Sequence, residues 1–471
     1  YHWYTGQYDY TTIQGGSSKS FVDDYLRKYK QHTNYNSINV YATYNKDFGN
    51  HHFKVMAGFN QESSYQETLD TYSYNQAVLD VPAMSSGTGT IKATDSYSEY
   101  AIRGGFFRVN YNYLDKYLLE VNGRYDGSSK FPKSSRFGFF PSVSAGWQIA
   151  QERFMNSTRH WLDGLKLRAS YGVIGNQNIN PYTFTPSMSV NNKATSWIID
   201  DTYVTSISSL PALVSQNFTW EKVGTINVGL DVNLFNNRLS GVFEWYQRNT
   251  NGMLAPGVQL PAVVGASAPY QNTADMRTRG WELSLNWRDQ IGKVGYRIGF
   301  NLSDYKSEII KYDDNAATKL LSSYYPGQTL GEIWGYVVDG YYTVDDFVDT
   351  SSWQLKEGVT SINGYNVRPG DVKFKNLRDD DTSTNVITSG DNTFDNPGDR
   401  KVIGNTTPRY QYGINLGMNY AGFDLNVILQ GTGKRDYWIS NVLTFPMNGD
   451  NFVPLFEGLS DYWMITVIGV Q

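Results

Sequence analysis

Apolar and polar residues alternate strictly along much of this chain. Ile38, Val40, Ala42 and Tyr44 are separated by Asn39, Tyr41, Thr43 and Asn45, which gives a strand one apolar face and one mostly polar face. A tight turn at 46–50 follows. The pattern then resumes with Phe53, Val55, Ala57 and Phe59 against Lys54, Met56, Gly58 and Asn60, and predicts a hairpin.

The unit recurs along the chain. Phe107, Val109, Tyr111 and Tyr113 lead through a turn at 114–116 into Tyr117, Leu119 and Val121. Ile226 to Leu234 lead through 235–238 into Phe243 and Trp245. Trp281 to Trp287 turn near 289–293 into Tyr296, Ile298, Phe300 and Leu302. Tyr410 to Met418 turn at 420–422 into Phe423, Leu425, Val427 and Leu429. Single strands fit 139–149 and 165–173, for roughly 12 to 13 strands of about ten residues or more, the length of tilted membrane-spanning strands. Turns inside hairpins are short, while the connections 63–98, 174–218, 250–275 and 304–408 are long. This asymmetry predicts an all-β, transmembrane antiparallel β-barrel with short periplasmic turns and long extracellular loops. Tyr44, Tyr113, Tyr117, Trp220, Trp287, Tyr296 and Tyr420 stand at or near strand ends, where aromatic girdles form.

Composition agrees with strands and turns: 15% aromatic, 44 Gly and only 18% charged residues among 471. Cysteine is absent, which excludes disulfides, thiolate metal sites and cysteine nucleophiles. A formal net charge of −5 offers no long-range attraction to phosphate backbones, so nucleic acid is not an expected partner. Mean hydropathy is −0.48 and no run of 18 apolar residues exists. That excludes a transmembrane helix but not a barrel, whose strands face lipid only at alternate positions. The chain opens at Tyr1 without a leader and reads as the middle of something longer.

Several ordered phrases carry a resemblance: YLLEVNGRYDGSSKF (117–131), FFPSVSAGWQIAQERFM (139–155), LKLRASYGVIGNQNI (165–179), WEKVGTINVGLDVNLFNNRLSGVFEWYQRNTNGML (220–254), NTADMRTRGWELSLNW (272–287), PGQTLGEIWGYVVDGYY (326–342) and DRKVIGNTTPRYQYGINLGMNYAGFDLNVILQGTGK (399–434). In order and spacing they resemble the SusC/RagA family of TonB-dependent outer-membrane transporters of the Bacteroidetes, across most of 99–463. The resemblance implies part of a 22-stranded barrel, a bacterial outer-membrane location, a SusD-like surface lipoprotein as lid, and uptake driven by TonB. It also implies that residues 1–471 are a partial TonB-dependent receptor β-barrel domain. The plug, the TonB-contacting N-terminal region, the first strands and the last strands are then expected outside it, and 304–408 is expected as one long extracellular loop region. The implied function is active import of a bulky oligosaccharide or peptide. A passive porin and a soluble carbohydrate-binding β protein such as a propeller are the alternatives.

Catalysis is not expected. His2, His32, His51, His52 and His160 lack metal-ligand spacing, the phrases GVIGN and GTGK lack P-loop spacing, and no nucleophile elbow or triad order appears. Asp379 and Asp381, in the cluster 379–381 with Asp391, Asp395 and Asp399 downstream, are weak calcium candidates, since carboxylates on a loop suit that ion. The sharp-turn Gly of a calcium loop is missing, so a solvated loop and no cofactor is the expectation. Ligand contact is assigned to the long-loop aromatics Tyr182, Trp197, Tyr324, Tyr325, Trp334 and Trp353, which could stack on sugar rings or line a peptide groove. Loop self-packing is the competing explanation for each.

Overall fold

The computed structural model describes residues 25–77, 83–188, 211–215, 218–258, 260–315, 317–321, 324–378 and 385–438, with the backbone alone of 2–4, 8–13, 16–21, 190–191, 198–199, 202–203 and 207–208. Twelve long strands dominate: β1 (Tyr25–Phe48), β2 (His51–Tyr74), β3 (Ile91–Tyr113), β4 (Tyr117–Ser128), β5 (Phe137–Gln148), β6 (Leu162–Asn176), β7 (Glu221–Leu234), β8 (Leu239–Pro256), β9 (Tyr270–Ile291), β10 (Val294–Tyr312), β11 (Arg409–Tyr420) and β12 (Phe423–Lys434). Their order in the sheet is their order in the chain, and the short strand His2–Tyr4 pairs antiparallel with β1. Among the described residues no helix is long and apolar enough to cross a membrane.

Apolar side chains of the alternating face are left exposed, with Ile38 at 60% and Val40 at 64%. A soluble sandwich or propeller would bury that face in a core. Here it needs an apolar solvent.

Each strand runs past the segment in which alternation is visible. β1 and β2 pair without a register break from Phe48↔His51 to Tyr25↔Tyr74, so 63–74 is strand and the connection is only 75–90. The expected loops at 174–218, 250–275 and 304–408 likewise shorten to 177–220, 257–269 and 313–408. The cause is polarity on both faces: past Phe59 the apolar face of β2 continues as Gln61 and Ser63. The hydrogen-bonded ladder continues regardless of what its side chains face.

The tight turns lie within a few residues of the expected positions. Phe48 pairs with His51 across Gly49 and Asn50, with Gly49 at φ +59. Ala421 and Gly422, both at positive φ, join β11 to β12 as a two-residue loop of the kind that matches strand twist.

Two compact units are present. The first comprises 1–110, 121–141 and 175–220. Its connection 177–220 ends in an aromatic cluster in which the Phe131 and Phe140 rings lie 5.0 and 5.2 Å from Trp220. The Trp220 indole N–H donates to the Arg136 carbonyl at 2.9 Å. Trp220 is therefore a buried packing residue and not a member of an interfacial girdle.

The second unit comprises 111–120, 142–174 and 221–471. At the short-turn end Tyr113 stacks on Tyr117 at 6.2 Å. Glu152 there accepts from the Tyr117 hydroxyl (2.6 Å), the Trp147 indole (3.1 Å) and the Lys116 ammonium (3.2 Å). These donors hold its carboxyl below the usual glutamate range, the tyrosine hydroxyl most strongly. A bulge between Thr250 and Leu254 interrupts the β8–β9 register, with Gly252 at φ +66 and its N–H donated to Asp275 at 2.7 Å.

In the same unit, 313–408 folds on itself. Glu332–Gly335 pairs with Lys401–Asn405, Val338–Tyr341 with Val372–Phe374, and Ser361–Ile362 runs parallel to Val386–Ile387. Tyr342, Phe347 and Val367 form a core at 0, 3 and 6% exposure, covered by Trp353, Leu355, Val359 and Ile362.

Candidate solute-facing site

Register assigns the polar faces of the second unit. Asn227, Gly229, Asp231 and Asn233 of β7 share a face with Glu244 and Tyr246 of β8. From β6, Arg168 donates to Asp231 at 3.1 Å and also reaches Glu244, which accepts from Asn227 at 3.1 Å. Gly229 makes this possible: a Cβ there would lie 2.7 Å from the guanidinium carbon of Arg168. One Arg between two carboxylates is a nearly compensated polar lining that keeps hydrogen-bonding groups available to water or solute.

Further along the same face Ser284 donates to Asn301 at 2.8 Å and Arg297 to Asn426 at 2.6 Å. A cleft of about 620 Å³ lies there, lined among others by Arg238, Arg288, Arg297, Asn286, Asn415 and Asn426. Guanidinium and carboxamide groups offer donors and acceptors to sugar hydroxyls or peptide groups. Alternation marks each of these except the turn residue Arg238 as polar-face. Their grouping needed the register between strands far apart in sequence, and the expected site residues did not include them.

The aromatic candidates are dispersed. In the first unit Tyr182 is exposed at φ +65, its carbonyl accepting from the Thr185 N–H at 2.8 Å. In the second, Tyr324 is exposed and edge-on to Tyr312 at 5.6 Å. Tyr325 is a packing residue: at 1% exposure it presents no face to a solute. Its hydroxyl donates to Glu332, while the Trp334 indole donates to that hydroxyl (2.9 Å) and to Glu332 (2.7 Å). Burial, with the Glu332 carboxylate, pushes the Tyr325 phenol far above its ordinary value. The structure thus brings Tyr325 and Trp334 together around Glu332. Trp353 packs edge-on against Phe347 at 5.5 Å, in the core described above. Self-packing accounts for the placement of these three.

Trp197, Asp379 and Asp381 lie outside the described residues. Of the downstream acids, Asp399 is fully buried and accepts the backbone N–H groups of Leu377, Arg378 and Thr388. Asp391 accepts from Asn396. Both are committed to holding the loop.

A ladder with one face exposed and apolar, the other polar and bonded across strands, and the longest connections, 75–90, 177–220 and 313–408, at one end defines the wall of an outer-membrane β-barrel. The profile of the TonB dependent receptor-like, beta-barrel family matches residues 1–464, and the chain belongs to that family. Its relatives are receptors and transporters, not enzymes. The chain is 29% identical over 447 residues to TonB-dependent receptor P3 of Formosa agariphila, covering 91% of this chain and 41% of that protein. It is 32% identical over 283 residues to TonB-dependent receptor SusC of Bacteroides thetaiotaomicron, covering 58% and 27%. The chain spans about two fifths of the length of the first of these relatives. Its fold is similar to that of the RagAB peptide transporter, with a TM-score of 0.68 at 22% identity over 87% of this chain and 41% of that one. The SusC/RagA resemblance seen in the motifs is therefore shown, and with it the barrel fold and the outer-membrane location.

Proposed function

We propose that this chain is wall and outer-loop structure of a TonB-dependent importer for a bulky oligosaccharide or peptide, working with a SusD-like surface lipoprotein as lid. The observation that carries the proposal is the similarity to SusC along 283 residues, together with a fold like that of a peptide transporter. The polar face supports it physically, since Arg168, Asp231, Glu244, Arg297 and Asn426 can replace water around a hydroxyl- or amide-rich solute. The solute-reading groups are assigned to that face and to exposed Tyr182 and Tyr324.

Growth on single glycans or peptides as sole nutrient, with and without the gene, tests the import. Loss of growth on one solute, reproduced by deleting TonB, is expected. Unimpaired growth on every solute, where this is the sole system, would overturn it. Ungated ion conductance of the full-length protein in planar bilayers would favour a passive porin. Co-purification of a lipoprotein with the full-length protein tests the lid.

A further inference from the structure

The β8–β9–β10 region of the second unit carries an unusual boundary on its apolar face. Register places Leu239, Trp287 and Ile298 together, then Leu285 with Phe300, then Phe243, Leu283 and Leu302, then Trp245 with Trp281. At the short-turn end Trp287 donates to the Tyr296 hydroxyl at 3.3 Å, and the one acid, Asp289, is paired with Arg238 at 3.1 Å. From Trp281 down to Ile291 are about ten residue steps, or ~34 Å of strand. At the usual barrel tilt this is ~25 Å of height, the full apolar band of an outer-membrane wall. Trp245 and Trp281 therefore stand at the upper margin of the lipid.

One register step beyond that margin, on the same face, Arg279 and Lys306 are directly opposite each other. Both are exposed. Two like charges in directly opposed positions repel, and among the described residues neither forms an ion pair. Arg279 donates through Nε to Gln247 at 2.8 Å, which orients the guanidinium without neutralising it. The nearby acids do not neutralise them. Asp304, at the Trp281 level, is held bidentately by Arg409, and Glu308, one register step above Lys306 and opposite Arg277, forms no ion pair with Arg279 or Lys306 among the described residues. A chain of net charge −5 thus keeps an uncompensated cation pair where lipid headgroups begin.

We propose that Arg279 and Lys306 bind the phosphate of an anionic lipid in the outer leaflet, whose acyl chains lie along Phe243, Leu283, Leu302 and the Trp245–Trp281 pair. The complementarity is twofold. The phosphate relieves the repulsion between the opposed cations, and the indoles occupy the interface as Trp does at membrane boundaries.

The test uses the full-length protein in detergent, incubated with diphosphoryl lipid A or with the same acylated disaccharide lacking phosphates, and reads retained lipid by native mass spectrometry. Wild type is expected to retain the phosphorylated form. The R279Q/K306Q double variant should retain it roughly thirtyfold less well, and R279K/K306R should keep it. Should the double variant fail to fold, R279Q and K306Q singly are each expected to weaken retention about fivefold. Equal retention by wild type and the Gln variants overturns the proposal. So does equal retention with and without the phosphates.

Discussion

The strand ladder and the 313–408 connection follow opposite rules of burial. In the ladder the apolar residues Ile38, Val40, Phe243 and Ile298 are exposed, and the strands are held by backbone pairing, as in β1–β2. In the connection Tyr342, Phe347 and Val367 are buried in a small core, and the strands there are only two to five residues long. The difference is one of solvent. In lipid, removing apolar groups from the surroundings gains nothing, so closed backbone hydrogen bonding decides the structure. In water the same residue types must gather, and short strands suffice because the core does the organising. One chain is thus read by two inverse hydropathy rules within a few residues of each other.

Three substitutions or conditions would break or sharpen that contrast, beginning with the largest effect. Tyr342→Ala removes the fully buried centre of the connection, along with its hydroxyl bond to the Thr360 carbonyl at 2.5 Å. A local loss of about 3–5 kcal/mol is expected. It should appear as fast amide hydrogen exchange across 338–374 while the ladder stays protected; loss of protection in both together would show that they are one cooperative unit.

Next, Leu285→Arg places a charge near mid-band on the apolar face and should cost about 2–4 kcal/mol in reversible urea unfolding from lipid vesicles. Its neighbour Asn286, on the polar face, should accept Arg within about 0.5 kcal/mol. Equal costs would mean that the faces have been assigned wrongly.

The smallest effect is a pH dependence confined to the connection. Asp346 is partly buried, which works against its ionised form, but the Thr343 amide and the Lys373 ammonium at 3.0 Å outweigh this and hold its carboxyl below the ordinary aspartate value. A depressed folded-state value means that stability is present at neutral pH and declines as pH falls below about 3.9 through the folded value. Exchange near 343–375 should accelerate there, and Asp346→Asn should remove most of the dependence. Asp349 shifts the same way through the hydroxyls and amides of Ser351 and Ser352, but its full exposure makes it a smaller contributor.

The legible part of the fold was its membrane part. Alternation at 38–44, 226–234 and 281–287 marked strands because lipid contacts one face only, and those segments lie within β1, β7 and β9. The same signal is absent at 63–74, where polar residues stand on both faces of β2, so period-two alternation does not reveal the strand there. Trp220 stands near a strand end, where a girdle is expected, but sequence proximity to an end does not reveal that Phe131 and Phe140 come to cover it. Among the candidate aromatics, exposed Tyr324 and buried Tyr325 are adjacent in the chain. No composition argument separates them, because the difference is made by Glu332 and Trp334 folding back.

By itself the sequence determined the all-β class, the faces of the strands, the end that carries the longest connections, and, through its ordered phrases, the family. These are properties of neighbouring residues and of the solvent each face must meet. Tertiary structure alone decided that Arg168 serves both Asp231 and Glu244, that the connection has its own core, and that Arg279 opposes Lys306 beyond the Trp245–Trp281 pair. Each of those depends on the register between strands that are distant in sequence. Register is fixed by the whole hydrogen-bonded ladder and its turns, not by any residue's neighbours.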